Sequence, residues 1–416
     1  MNLTYFNLKN LALLIGTAVM LVFFLGGCSK GGSNPTPKNT TPKLAITALS
    51  VNSGPYMTLV SLTGTGFSTT LANNQVFFNG VAATPINVTL DGTGLSVTVP
   101  LGAGTGPVTA TVNGVTATGP VFTYQPEEIV STLPGNFTAI TGIAIDGSGN
   151  IYVADVVTNT IQKITPTGVQ SVLAGGTEGF ADGTGAAASF TGIEGMTIDA
   201  NGNLYVVDAG NSLIRKVTPL GVVTTLAGNR YSSSTDGVGT SASFSMPWGI
   251  VIDASGNLYV TDVGTSRIRK ITPAGVVSTL TTTGLSFGVK GITIDKTGNL
   301  YVSDQTSNQI IKITTAGIAS AFAQNTSSPT VTFDSPTGLA IDANGNIFAA
   351  NQFNGTISKI TPAGVASVFA GLSATLGFTD GPVAVATFGA PLYIAFDASG
   401  NMYISDNARV RKISFQ

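Results

Sequence analysis

An internal repeat constrains this chain more than any other feature. Six times an apolar run ends in Asp, a Gly-Asn pair follows three residues later, and a second apolar run begins. The Asps are Asp146, Asp199, Asp253, Asp295, Asp342 and Asp397, and the pairs run from Gly149-Asn150 to Gly400-Asn401. Successive Asps stand 53, 54, 42, 47 and 55 residues apart. A period of roughly 40–55 residues with short strands predicts a radial array of four-stranded sheets, a β-propeller. That fixes the architecture and leaves the ligand open, because propellers host binding, scaffolding and catalysis alike.

The third repeat shows the grammar of one blade. Residues 249–253 read as strand a and 258–262 as strand b, joined by the turn Ala254-Ser255-Gly256-Asn257. Residues 267–271 read as strand c and 276–280 as strand d, joined by Thr272-Pro273-Ala274-Gly275. An Asp that opens a turn accepts backbone N–H bonds, and Gly takes its left-handed position. This pattern resembles the NHL repeat, and the resemblance covers residues 126–416 with six blades. The last repeat stops after its strand c. Its missing strand d is expected at the other end, in Ile129-Val130-Ser131-Thr132-Leu133, so that both ends of the domain close one blade. Such closure removes an open sheet edge.

Charged residues make up 9% of the chain and the net charge is −2. Nucleic-acid binding, which needs a basic face, is not expected. The chain has no His, which removes the commonest general base and transition-metal ligand. Its one Cys follows an apolar stretch, residues 11–25, in Leu25-Gly26-Gly27-Cys28. The stretch falls short of the roughly 20 residues that span a bilayer, and its end resembles the lipobox of bacterial lipoproteins. The resemblance implies that residues 1–27 are a signal peptide and that Cys28 is lipidated. Residues 28–43 then form a flexible tether. Ser29 lacks the Asp that retains lipoproteins at the inner membrane, which favours the outer membrane.

Residues 44–124 alternate apolar and polar residues in short runs, as in a small sandwich. They resemble an IPT/TIG immunoglobulin-like domain through Ser53-Gly54-Pro55, 62–67, Val76-Phe77-Phe78-Asn79-Gly80 and 104–108. The fold class expected is thus all-β: an IPT/TIG sandwich followed by a six-bladed propeller. The sandwich reads as a spacer.

In propeller geometry the tight a–b and c–d turns share one face, and the variable b–c and d–a loops share the other. Function sits more often on variable loops. Of twenty acids, six open the a–b turns and five close strand b, Asp155, Asp208, Asp262, Asp304 and Asp406, with Asn351 as the sixth. Their recurrence points to structure. Three more, Asp182, Asp236 and Asp380, lie in d–a inserts that end in Phe190, Phe244 and Phe388. Each insert reads as a loop folded on its own aromatic plug. One carboxylate per loop falls short of a Ca²⁺ shell, so no metal and no cofactor are expected.

The residue just before strand a should face the channel mouth. Around the ring these are Thr141, Glu194, Trp248, Lys290, Thr337 and Leu392, irregular where all else repeats. Glu194, Trp248 and Lys290 come from adjacent blades and form the candidate ligand site, with Thr141 and Thr337 beside them. An alternative is a Glu–Lys ion pair plugging the channel. The cations Arg215, Lys216, Arg267, Arg269, Lys270, Arg409, Arg411 and Lys412 read as the solvated side of outer strands.

Some relatives of the fold are lactonases and lyases, but the lyases rely on His and the lactonases on converging acids. The expectation is a non-catalytic, monomeric, membrane-anchored binding protein for carbohydrate, resembling glycan-capture lipoproteins of Bacteroidota. A protein-interaction scaffold of the envelope is the main alternative, and a propeller enzyme the other.

Overall fold

The computed structural model describes residues 42–280, 285, 288–325 and 333–415. The expected signal peptide, Cys28 and the tether up to residue 41 lie outside the described residues. Among those residues, the regular elements are strands and short 3-10 turns.

Residues 44–124 build two sheets around one core. The first runs in the order Ala45–Leu49, Leu59–Thr65, Gly94–Thr98, Pro85–Val88, and the second is centred on Gly106–Val112 and Val115–Tyr124. Alternation decides which face is inside. In Leu59–Thr65, Val60, Leu62 and Gly64 are buried while their neighbours are exposed or half-buried. Phe78 and Phe122 meet edge to face at 5.1 Å in the middle of that core. Fully burying each such side chain contributes about 1.5–3 kcal/mol.

The remaining described residues form six antiparallel sheets, three of four strands and three of four plus a short fifth, stepping outward. Their inner strands are Ile140–Ile145, Ile193–Ile198, Pro247–Ile252, Val289–Ile294, Pro336–Ile341 and Pro391–Phe396. Each packs beside the next, and the sixth returns to the first, so the ring is closed. The sixth sheet draws on both ends of the domain. Glu128–Thr132 pairs with Arg409–Phe415, with Glu128 opposite Phe415 and Thr132 opposite Arg411.

The turn Asps explain why the six copies look alike. Asp146 accepts the N–H groups of Ser148 and Asn150, the Asn150 amide and the Tyr152 hydroxyl, all within 2.7–3.0 Å. Four other turns repeat the set; around Asp342, Phe348 replaces the tyrosine and no hydroxyl is supplied. The tyrosine or phenylalanine ring also lies beneath the ammonium of a Lys on strand c, 5.4–5.7 Å away in every blade.

A glycine column holds the ring tight. Gly142, Gly195, Gly249, Gly291 and Gly338 stand third in their inner strands, where a Cβ would strike the next blade's carbonyl. In the sixth blade the place is taken by Tyr393.

Candidate functional site

Inner strands start earlier than the turn pattern suggests. Thr141, Glu194, Trp248, Lys290, Thr337 and Leu392 are each the second residue of strand a rather than the residue before it. Each falls at a register shift against strand b, a bulge that re-aims its side chain.

The bulge aims them differently. Thr141 and Thr337 are buried in the seams between blades. The Thr141 hydroxyl donates to the Ile193 carbonyl at 2.8 Å. That of Thr337 lies 3.0 Å from the Leu392 carbonyl and 3.1 Å from that of Ala350. With their hydroxyls satisfied by the main chain, these two threonines tie neighbouring blades and offer a ligand nothing. That corrects the sequence expectation for both.

Glu194, Trp248, Lys290 and Leu392 remain half-buried at the mouth. Trp248 of the third blade stacks across the channel on Tyr393 of the sixth, with centroids 4.5 Å apart and planes at 15°. The Tyr393 hydroxyl donates to the Trp248 carbonyl at 3.3 Å, locking the pair. The Lys290 ammonium sits 5.3 Å over the indole. Burial pushes the Glu194 carboxyl up to about 7, and the Lys290 charge only partly offsets that. Burial lowers Lys290 in turn, opposed by Glu194. Tyr393 is raised well above the ordinary phenol range, first by burial and then by the Glu194 charge. Among the described residues the ion pairs join Arg to Asp, and Glu194 and Lys290 make no direct bridge. The plug of the channel is therefore aromatic, not ionic.

A cavity of about 330 Å³ is lined by Tyr393 and by the later halves of the six inner strands. The glycine column made Tyr393 visible in the sequence as the one break in a run of five.

A second network holds the loops around the mouth. Arg215, Arg269 and Arg411 are wholly buried, contrary to the solvated strand face expected for them. Arg215 donates to Asp208 at 2.8 Å and to Asp182 at 2.7 Å, beneath the carbonyls of Ser189 and Ala181. Arg269 joins Asp262 and Asp236, and Arg411 joins Asp406 and Asp380, in the same way. Each guanidinium also lies 4.9–5.2 Å over the Phe that ends its insert. So the inserts do fold on aromatic plugs, but the Asp of each reaches inward to a buried arginine. Each insert then adds a two-residue fifth strand to the blade that follows it, as Gly183-Thr184 does against Val222-Val223.

Family comparison bears on both domains. Residues 44–124 match the IPT/TIG domain, and residues 244–271 match the NHL repeat. The chain carries an IPT/TIG domain and, within its β-propeller, an NHL repeat. Among solved structures, an auxiliary nutrient binding protein from Bacteroides thetaiotaomicron superposes with a TM-score of 0.67 at 16% identity, covering 89% of this chain and 97% of its own. One from Bacteroides ovatus, 19% identical, gives 0.60 over 90% of this chain and 98% of that chain. A streptogramin B lyase, 16% identical, gives 0.50 over 70% and 98%. At such identities the likeness is one of fold. The chloroplastic protein SUPPRESSOR OF QUENCHING 1 of Arabidopsis thaliana is 33% identical over 131 residues, 29% of this chain; the match spans only 12% of that protein's length.

Proposed function

We propose that this chain is a non-catalytic binding lipoprotein, anchored through Cys28 at the outer membrane, whose NHL propeller captures carbohydrate at its mouth. The observation that carries this reading is the half-buried Trp248, braced by Tyr393 and flanked by Lys290 and Glu194. An indole held flat and rigid gives a sugar ring a stacking surface without further ordering, and polar groups beside it can fix orientation. The names of the two Bacteroides neighbours support a capture role. The acids that a hydrolase would use are tied up in turns and clamps, which leaves Glu194 as the sole carboxylate among the six mouth positions.

A glycan array probed with the full-length protein tests this, with Trp248→Ala alongside. Sugar binding that falls roughly five- to tenfold in the variant is expected, consistent with stacking worth roughly 1–1.5 kcal/mol. Unchanged binding removes the mouth from the account. An envelope-protein partner is the second reading, favoured by exposed Tyr231, Met246 and Phe353 on the same loop face. A blank array with a specific protein captured from envelope extract would move the assignment there.

A further inference from the structure

The insert between the second and third blades carries a guanidinium that the clamps do not use, set against the insert before it. Arg230 lies face-on over Phe180, with its guanidinium carbon 3.4 Å from the ring centroid. Both residues are exposed, and among the described residues Arg230 makes no ion pair. Its backbone is held in the left-handed region at φ 68°, a strained conformation for an arginine that persists only where the surroundings impose it. Neighbouring Tyr231 is 76% exposed, and its N–H donates to the Asn229 side chain at 3.1 Å.

Phe180, Arg230, Asn229, Leu213, Thr225 and Asp182 line one open cavity of about 480 Å³. The Asp182 carboxylate is turned to Arg215 at 2.7 Å, a guanidinium it shares with Asp208, and it accepts twice from Thr225. Arg230 is the cation of the pocket lining that no ion pair engages among the described residues. The sixth blade repeats the device with different parts. There Arg409, from the start of strand c, stacks 3.8 Å over Phe378, which stands where Phe180 stands in its own Phe-x-Asp-Gly. In the second blade that strand position is Leu213, and the cation comes from the following insert instead. The insert that carries Arg230 has Ser234 in place of the Phe, and Arg267 donates to its carbonyl rather than stacking.

We propose that the Phe180–Arg230 pocket is a carboxylate-binding subsite, and that the captured ligand is an acidic glycan carrying hexuronate residues. This rests on the carbohydrate reading above. Stacking fixes the plane of the guanidinium and leaves its N–H edge outward, the arrangement that recognises a carboxylate with two parallel hydrogen bonds. The exposed Tyr231 beside it offers the ring of the same sugar an apolar face.

Titration calorimetry on the full chain tests this, using a hexuronate oligosaccharide and its carboxyl-reduced neutral counterpart. The acidic sugar should bind at least about tenfold more tightly than the neutral one, and more weakly as salt rises. Arg230→Gln should abolish that preference while leaving neutral-sugar affinity within about twofold. Phe180→Ala, which frees the guanidinium to swing, should reduce the preference without removing the charge. Equal binding of both sugars, or a preference untouched by Arg230→Gln, overturns the subsite and leaves capture at the mouth standing. Binding of neither sugar by a protein whose array hits are neutral likewise overturns the subsite alone. Binding of neither, with a blank array, overturns both.

Discussion

Blades two, three and six carry the buried arginine clamp, and blades one, four and five do not. Where the clamp has Arg215, Arg269 or Arg411, the unclamped blades have Gln162, Ile311 and Ser358 at the same place in strand c. The acid at the end of strand b does not by itself require the arginine. In the first blade Asp155 accepts N–H bonds from Thr138, Ala139, Val157 and Thr158. In the fifth it is Asn351, which donates to Ser358 at 2.7 Å. The arginine is present only where a Phe- and Asp-bearing insert must be tied down. Of the groups at the mouth, Glu194, Trp248, Leu392 and Tyr393 belong to clamped blades, and Lys290 does not. The difference teaches that the chain rigidifies the loops next to its irregular residues and leaves the other half of the ring plain.

The largest effect should separate the two halves directly. Arg215→Met strands Asp208 without its counter-charge in a fully buried place, and a loss of about 3–5 kcal/mol is expected. Gln162→Met at the matching place in the first blade should cost less than about 1.5 kcal/mol, since no charge is uncovered. Urea denaturation of both variants checks this, and equal losses would erase the distinction between the halves.

A smaller effect concerns Glu194 in a clamped blade. Its folded pKa of about 7 lies above the unfolded value, so its contribution is fully present below about pH 4.5 and fades as pH rises through 7. Glu194→Gln should therefore gain about 1–3 kcal/mol relative to wild type at pH 9, and nothing at pH 4. A variant whose stability tracks wild type across that range would show that the carboxylate is well solvated.

The smallest effect should be shared by both halves. The turn Asps are common to all six blades. Burial would raise Asp199 and Asp295, but hydrogen bonds from Asn203 and Asn299 and the turn N–H groups outweigh it, taking Asp295 to about 2. A lowered folded pKa gives stability above the unfolded value that is lost as pH falls from about 4 towards 2. Asp295→Asn and Asp199→Asn should each lose about 1 kcal/mol or less at pH 7, given their partial exposure, and by similar amounts. Unequal losses would mean that the clamps stiffen the turns as well.

Much of this was legible in the residues. The repeat gave the propeller, its turns and the closing strand 129–133, because turn chemistry and strand alternation are local. It also brought Glu194, Trp248 and Lys290 to one mouth. Thr141 and Thr337 misled, because a bulge decides whether a side chain faces the channel or the seam, and no local signal marks that choice. The arginines misled for a different reason. An Arg-x-Ile alternation looks solvated until its two acids, one 7 residues away and one 33, are known to converge on it. A signal was there: the Asp-Gly inserts precede the three blades whose strand c holds arginine at that position. Tyr393 was equally visible as the break in the glycine column.

Trp248 is the only tryptophan in the chain, so its emission reports on the mouth alone. Fluorescence titration of the full-length protein with whichever glycan the array selects is the most direct test. A saturable change in Trp248 emission, with a midpoint matching the calorimetric affinity, is the result predicted. Tight glycan binding with the emission unchanged would place the site elsewhere on the propeller and contradict the account.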